Sequence, residues 1–279
     1  MQRLLPCYDT HVHSHMSGHS EARMTPDNVM AAAKSRRLDG LVMLEHLPQI
    51  FPGEPASAWY SRKNDRLHLD ALYSAIGDSG GVKVVKGVEI DPDPVKLDGS
   101  LMLDDFSTID FPVFATHVLP GGKTFWFSAM PMPAPVAEQV LEEYLTMLKK
   151  ALSQGQVKAW AHPGATIAKA ALLKDFSRES IEPLEEVFAI MSERGVAFEL
   201  NELLAKKLEP PYITSYPQLV DAARAWGIRF VVGSDAHSPE NVGVYKWVEA
   251  VAWEACLTRE DFLDVVELAG DTSRPCASS

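Results

Sequence analysis

The chain has 279 residues, 46% hydrophobic and 23% charged, with 38 acidic against 26 basic side chains for a formal charge of −12. That length and apolar content suit one large buried core rather than disorder, and three irregularly spaced cysteines, Cys7, Cys256 and Cys276, suggest neither a disulfide scaffold nor a paired-cysteine zinc knuckle. The acidic balance argues against a grip on nucleic acid polymers or anionic bilayers, which need clustered Lys and Arg, but leaves room for a small anion bound where the local charge differs.

The opening segment Leu4-Leu-Pro-Cys-Tyr-Asp-Thr-His-Val-His13 holds a short strand and does not read as a signal peptide. A helix follows, with Thr25 as N-cap, Pro26 at its first position and Gly40 at its end. Leu41 to His46 is a continuous apolar run, as expected of a strand buried on both faces in a parallel sheet. A Pro-rich loop and a helix around residues 62–77 lead to further strands at 82–90, 111–118, 157–163, 196–201 and 228–237. Helical patterns occupy 135–154, 180–194, 215–226 and 258–269, with core-facing stripes such as Met147, Leu148 and Leu152 or Val187, Ile190 and Met191.

Seven strands alternating with helices predict a parallel sheet with right-handed crossovers, doubly wound or closed as a barrel. No composition break marks a second domain, so residues 1–270 are expected to form one unit and the polar stretch 271–279 a frayed tail. No stretch approaches the roughly 18–20 apolar residues of a membrane helix. A soluble protein in the reducing cytoplasm is expected.

His11, His46, Glu89, His117, His162, Glu199 and Asp235 each fall at or near the C-terminal end of a different predicted strand, about 28 to 45 residues apart. In a parallel barrel those ends converge on the face where barrel enzymes carry their chemistry. His11 and His13, two apart on a strand, point the same way, and Asp235 and His237 repeat the arrangement near the other end of the sequence. These donors exceed what one tetrahedral ion can use, so more than one metal is implied. Imidazole and carboxylate suit Zn, Mn or Fe. Such a cluster is hydrolytic by default, because a coordinated water loses its proton near neutral pH and adjacent ions stabilise the attacking and leaving oxygens.

These segments together resemble the PHP (polymerase and histidinol phosphatase) family: Asp9-Thr-His11-Val-His13 with Ser17 and His19, Glu45-His46-Leu47-Pro48, Gly87-Val-Glu89-Ile-Asp91, Thr116-His117, His162-Pro163, Glu199-Leu-Asn201 and Gly233-Ser-Asp235-Ala-His237. The resemblance implies a distorted TIM-like (β/α)7 barrel holding two to three divalent ions and acting as a phosphoesterase. It also implies that His11, His13, Glu89 and Asp235 hold one ion, that Glu89 bridges to a second held by His117 and His162, and that His19, His46 and His237 hold a third. Glu89, Asp235 and His237 are the expected catalytic residues. Glu45-His46-Leu-Pro, Gly-Val-Glu-Ile-Asp and Glu-Leu-Asn are most similar to the histidinol-phosphatase branch, which implies a small phosphate monoester, histidinol phosphate being the candidate. An amidohydrolase-type C–N or ester hydrolase on the same centre and a non-catalytic metal-binding module are the alternatives.

Several residues carry two readings. Glu199 and Asn201 either orient a ligand or cap a strand end, Asp9 either bonds a ligand imidazole or forms a turn, and Ser17 either touches phosphate or shapes its loop. Phe125, Trp126 and Phe127, in the loop 119–134, are a lid, a subunit contact or core packing. Lys169, Lys174, Lys206 and Lys207 are candidates for holding the substrate phosphate. His15 and His68 are expected to be structural.

Overall fold

The computed structural model describes residues 4–48, 66–77, 79–122 and 131–265. Among the described residues eight strands run β1 Tyr8–Val12, β2 Gly40–Met43, β3 His46–Leu47, β4 Lys83–Ile90, β5 Phe111–Phe114, β6 Ala159–Trp160, β7 Ala197–Asn201 and β8 Phe230–Gly233. Every pairing between them is parallel, in the order β1-β2-β4-β5-β6-β7-β8, with β3 also on β4. Seven strands therefore make one path. A parallel bridge between Val12 and Ala236 joins the first strand to the chain beyond the last, nearly closing the path into the expected barrel.

The helices of the described residues are α1 Pro26–Ser35, α2 Leu67–Ala75, α3 Ala134–Ser153, α4 Ala165–Lys169, α5 Glu185–Arg194, α6 Tyr212–Ala225 and α7 Lys246–Glu254. Thr25 caps α1 by accepting from Asn28 N at 3.4 Å, with Pro26 where a missing N–H costs nothing. The expected helix end at Gly40 is corrected: α1 stops at Ser35, Arg37 takes the left-handed turn, and Gly40 opens β2. The predicted strand 41–46 is split, because Leu44 N bonds the Val12 carbonyl of β1 whereas the Glu45 carbonyl accepts from Glu89 of β4. Of the helix predicted at 258–269, the described part holds one tight turn, Arg259–Asp261. Residues 266–279, the loop aromatics Phe125, Trp126 and Phe127, and residues 62–65 of the helix predicted at 62–77 lie outside the described residues.

Helix α7 carries no capping side chain of its own. Glu202, just past β7, supplies one from a distance, its carboxylate accepting from Trp247 N at 3.0 Å and Val248 N at 2.9 Å. The main core lies between sheet and helices and buries Trp160, Tyr144, Phe111, Phe114, Phe198 and Phe230; each such side chain contributes about 1.5–3 kcal/mol on burial. Val12, Met24, Val29, Met30 and Met43 form a smaller cluster under α1. Among the described residues no helix is long and apolar enough to cross a membrane.

Candidate metal centre

The nine residues expected to bind metal all come to one end of the barrel. His11 is on β1 and His13 just beyond it, His46 opens β3, and Glu89 lies near the end of β4. The parallel register places His46 directly beside Glu89. His117, His162 and Asp235 follow β5, β6 and β8, past the last paired residues, so these strands are shorter than their sequence patterns suggest. His162 and Asp235 have φ values of 32° and 53°, conformations that side-chain-bearing residues adopt at a cost and that recur at functional sites. Asp235 and His237 therefore do not meet by strand alternation, as expected from the sequence. They converge through a turn, with His237 Nδ1 2.9 Å from the Asp235 carbonyl.

Glu89 is the centre of the cluster. Its Oε1 lies 2.7 Å from His162 Nε2 and 3.2 Å from His117 Nε2. On the other side, Oε2 lies 2.9 Å from His46 Nδ1, 3.3 Å from His11 Nε2 and 3.4 Å from His13 Nε2. Asp235 Oδ1 faces the same two nitrogens, 3.6 Å from His11 Nε2 and 3.5 Å from His13 Nε2. At the mouth, His19 Nε2 is 2.8 Å from His237 Nε2 and 3.3 Å from His46 Nε2.

This donor set fits a divalent cation better than a set of hydrogen bonds. His11 Nε2 and His13 Nε2 are 3.1 Å apart, and a neutral imidazole offers a lone pair at one ring nitrogen only. Of the seven buried side-chain atoms without an aligned hydrogen-bond partner among the described residues, four, His13 Nδ1, His46 Nδ1, Glu45 Oε2 and Glu89 Oε2, belong to this cluster, a concentration that calls for a physical explanation. Three groups have donor atoms within 4.8 Å of one another and could each hold an ion: His11, His13 and Glu89; His46, Glu89 and His117; and His13, His46 and His237.

The carboxylates and imidazoles also shift one another: against their burial, His11 is raised well above the usual imidazole range by Glu199, Asp235 and Glu89, and His13 by Asp235, Glu45 and Glu89. Burial alone would raise the Glu89 carboxyl, but His46, His11 and His117 hold it well below the usual range. Asp235 is likewise held down, against its burial, by His11, His13 and His237. Despite burial His117 is raised to about 10, by Asp91 and Glu89. His19 and His237 are pushed down to about 4, first by burial and then by neighbouring imidazoles.

Behind the donors stands a layer of carboxylates. Glu199 Oε1 is 2.9 Å from His11 Nδ1, and Asp91 Oδ2 is 2.8 Å from His117 Nδ1 while its Oδ1 accepts from His117 N at 2.7 Å. Glu45 Oε1 accepts from Ser14 N at 2.9 Å and Ser14 Oγ at 2.5 Å, leaving Oε2 3.7 Å from His13 Nδ1. Such partners fix ring orientation and tautomer. The spacing along the chain assigns Asp91 and Glu45 no role; Asp91 lies just past β4, two residues after Glu89. Glu199 makes contacts of both expected kinds, facing His11 Nδ1 and accepting from His162 N just past β6 at 2.7 Å. Asp9 bonds backbone rather than an imidazole: Oδ1 accepts from Ser234 N at 2.9 Å and His11 N at 3.2 Å, and Oδ2 from Gly243 N at 2.9 Å, tying the two ends of the sequence together. Ser17 is buried and bonds Ser20 Oγ at 2.7 Å. His15 Nδ1 lies 3.3 Å from the Met24 carbonyl, and His68 Nε2 donates to the His46 carbonyl at 2.8 Å, both backbone partners.

Comparison with known proteins agrees with this architecture. The PHP domain family model matches residues 9–203, and a PHP-associated model matches residues 218–266. A probable histidinol-phosphatase of Deinococcus radiodurans is 27% identical over 262 residues, covering 87% of this chain and 90% of the relative. A probable phosphatase of Photobacterium profundum is 26% identical, covering 94% of each. Among solved structures, histidinol phosphate phosphatase from Lactococcus lactis, complexed with zinc, L-histidinol and phosphate, superposes with a TM-score of 0.59 at 20% identity, covering 94% of this chain and 93% of that one.

Proposed function

The chain belongs to the PHP domain family, and from that premise we propose that it is a metal-dependent phosphomonoesterase acting on a small phosphate ester, with histidinol phosphate as the leading candidate. The observation that carries this reading is the two-sided environment of Glu89, whose oxygens face separate sets of imidazoles as a bridging carboxylate would. In this assignment His11, His13, Glu89 and Asp235 would hold one ion, Glu89 with His117 and His162 a second, and His19, His46 and His237 a third. When bound, divalent ions would lower the pKa of a coordinated water and neutralise the phosphoryl oxygens.

The chain's own residues hold that arrangement in place. Glu89 keeps its charge inside the barrel and sets the separation of the two inner positions. Asp235 is anchored at Oδ2 by Asn201 Nδ2 at 3.2 Å, which leaves Oδ1 on the donor side. His237 keeps 25% of its side-chain surface exposed against 7% or less for His11, His13, Glu89 and Asp235, so substrate would enter on the His237 side. The proposed catalytic unit spans both family matches, since it needs His11 and Asp235 from opposite ends of the sequence. A cation-filled pocket also accommodates an anionic substrate within an acidic protein.

The test is a panel of phosphate monoesters, carboxylic esters and amides, assayed with Zn and with Mn. The proposal expects phosphate release from histidinol phosphate to outpace turnover of every uncharged ester or amide. Faster amide or carboxylic ester hydrolysis would overturn it in favour of an amidohydrolase-type reaction.

A further inference from the structure

Glu199 on β7 is fully buried and stands outside the donor set, yet it touches ligands assigned to two different ions. Its Oε1 is 2.9 Å from His11 Nδ1. Its Oε2 accepts from the backbone N–H of His162 at 2.7 Å and from Asn201 Nδ2 at 3.0 Å. The same Asn201 nitrogen reaches Asp235 Oδ2 at 3.2 Å, so one carboxylate is linked directly or through one side chain to His11, His162 and Asp235. His19, His46 and His237 make no such contact with it among the described residues.

We propose that Glu199 is a positioning residue that fixes the Nδ1–H tautomer of His11 and couples the geometry of the two inner metal positions. The donor count carries the argument. The His162 amide and the Asn201 side-chain amide can only donate to Oε2, and a carboxylate oxygen facing His11 Nδ1 requires a proton there. With Nδ1 protonated, the neutral ring keeps its lone pair on Nε2, the atom that lies 3.3 Å from Glu89 Oε2 and 3.1 Å from His13 Nε2. The bond to His162 N holds the chain at its unusual φ of 32°, which directs that ring to Glu89 Oε1 at 2.7 Å.

Gly233 makes room for this carboxylate. It lies at the end of β8, paired with Asn201, and a Cβ there would overlap Glu199 Oε1 and come within 2.7 Å of His11 Cβ. Gly233→Ala therefore displaces Glu199 and crowds His11, while the identity of every ligand is kept. Glu199→Gln acts by chemistry instead, because its amide has one accepting end and one donating end for three donors. If the oxygen stays on His162 N and Asn201, the NH2 faces His11 Nδ1 and favours the Nε2–H tautomer, which leaves no lone pair on Nε2 for a cation.

The inference rests on the metal-binding part of the proposed function and is independent of the substrate. In the zinc-loaded protein, proton–nitrogen correlation NMR should show His11 protonated at Nδ1. Zinc retention against graded chelator should weaken roughly 10–100-fold in Glu199→Gln and in Gly233→Ala, the usual cost of losing such a partner, with the circular dichroism of the parent kept. A His11 proton on Nε2, or a folded variant that retains zinc as the parent does, overturns the inference while the proposed function stands. A parent protein that binds no divalent ion overturns both. Should neither variant fold, the tautomer in the parent protein decides.

Discussion

At Glu89 a single side chain faces five imidazoles through two oxygens, and the consequences of changing it are correspondingly specific. Glu89→Gln removes the charge but little of the volume, so the fold should persist while metal retention and turnover fall at least 100-fold; circular dichroism with elemental analysis and a phosphate-release assay checks this, and a metal-replete variant would contradict it. The sign of the pH response follows from the imidazoles. His117, raised to about 10 by Asp91 and Glu89 against its burial, carries a proton at neutral pH that an ion must displace. His19 and His237, lowered to about 4, have none to give above that pH. Adding zinc to weakly buffered metal-free protein at pH 7 should therefore release protons, and zinc affinity should rise with pH between about 5 and 9; affinity that falls over that range would be evidence against imidazole ligation.

The clustering of these residues was legible in the sequence because polar residues ending apolar strands stand out, and because seven strand ends in a parallel barrel have one place to meet. Less legible were the groups behind them. Asp91 and Glu45 touch no ion in the assignment, and their roles depend on which imidazole faces them across the barrel, a distance that spacing along the chain does not encode. The spacing of Asp235 and His237 suggests strand geometry, which a positive φ at Asp235 replaces.

Elements show the same division between local and distant causes. α1 and α3 were readable from a local cap or a long amphipathic stripe, whereas α7 was missed. Its first amides are satisfied by Glu202, 45 residues before Trp247 in sequence, so no capping signal precedes the helix. Replacing Glu202 with Ala should lower stability by about 0.5–2 kcal/mol, the range for a lost N-cap, as measured by urea unfolding. An unchanged midpoint would mean that solvent caps α7 equally well. The sequence patterns overrun the strand limits at β5, β6 and β8 for a related reason: His117, His162 and Asp235 lie past the ladder, although their apolar neighbours continue the pattern.

On the scale of the whole molecule, sheet closure turns a list of dispersed residues into a site. Asp9 bonds His11, Ser234 and Gly243, and the bridge from Val12 to Ala236 completes the junction, so donors from the first and last strands share one pocket. The net charge of −12 belongs to the whole chain, including the buried carboxylates Asp9, Glu45, Glu89, Asp91, Glu199 and Asp235, and argues only against long polyanions. Within the barrel mouth, bound cations would set the local sign and admit a small phosphate. The most direct measurement pairs elemental analysis with phosphate release on one preparation purified without chelator, then stripped of metal, then reloaded. The account predicts more than one equivalent of transition metal at the outset, loss of turnover on stripping and recovery on reloading. Undiminished phosphate release by the stripped, metal-free protein would contradict it.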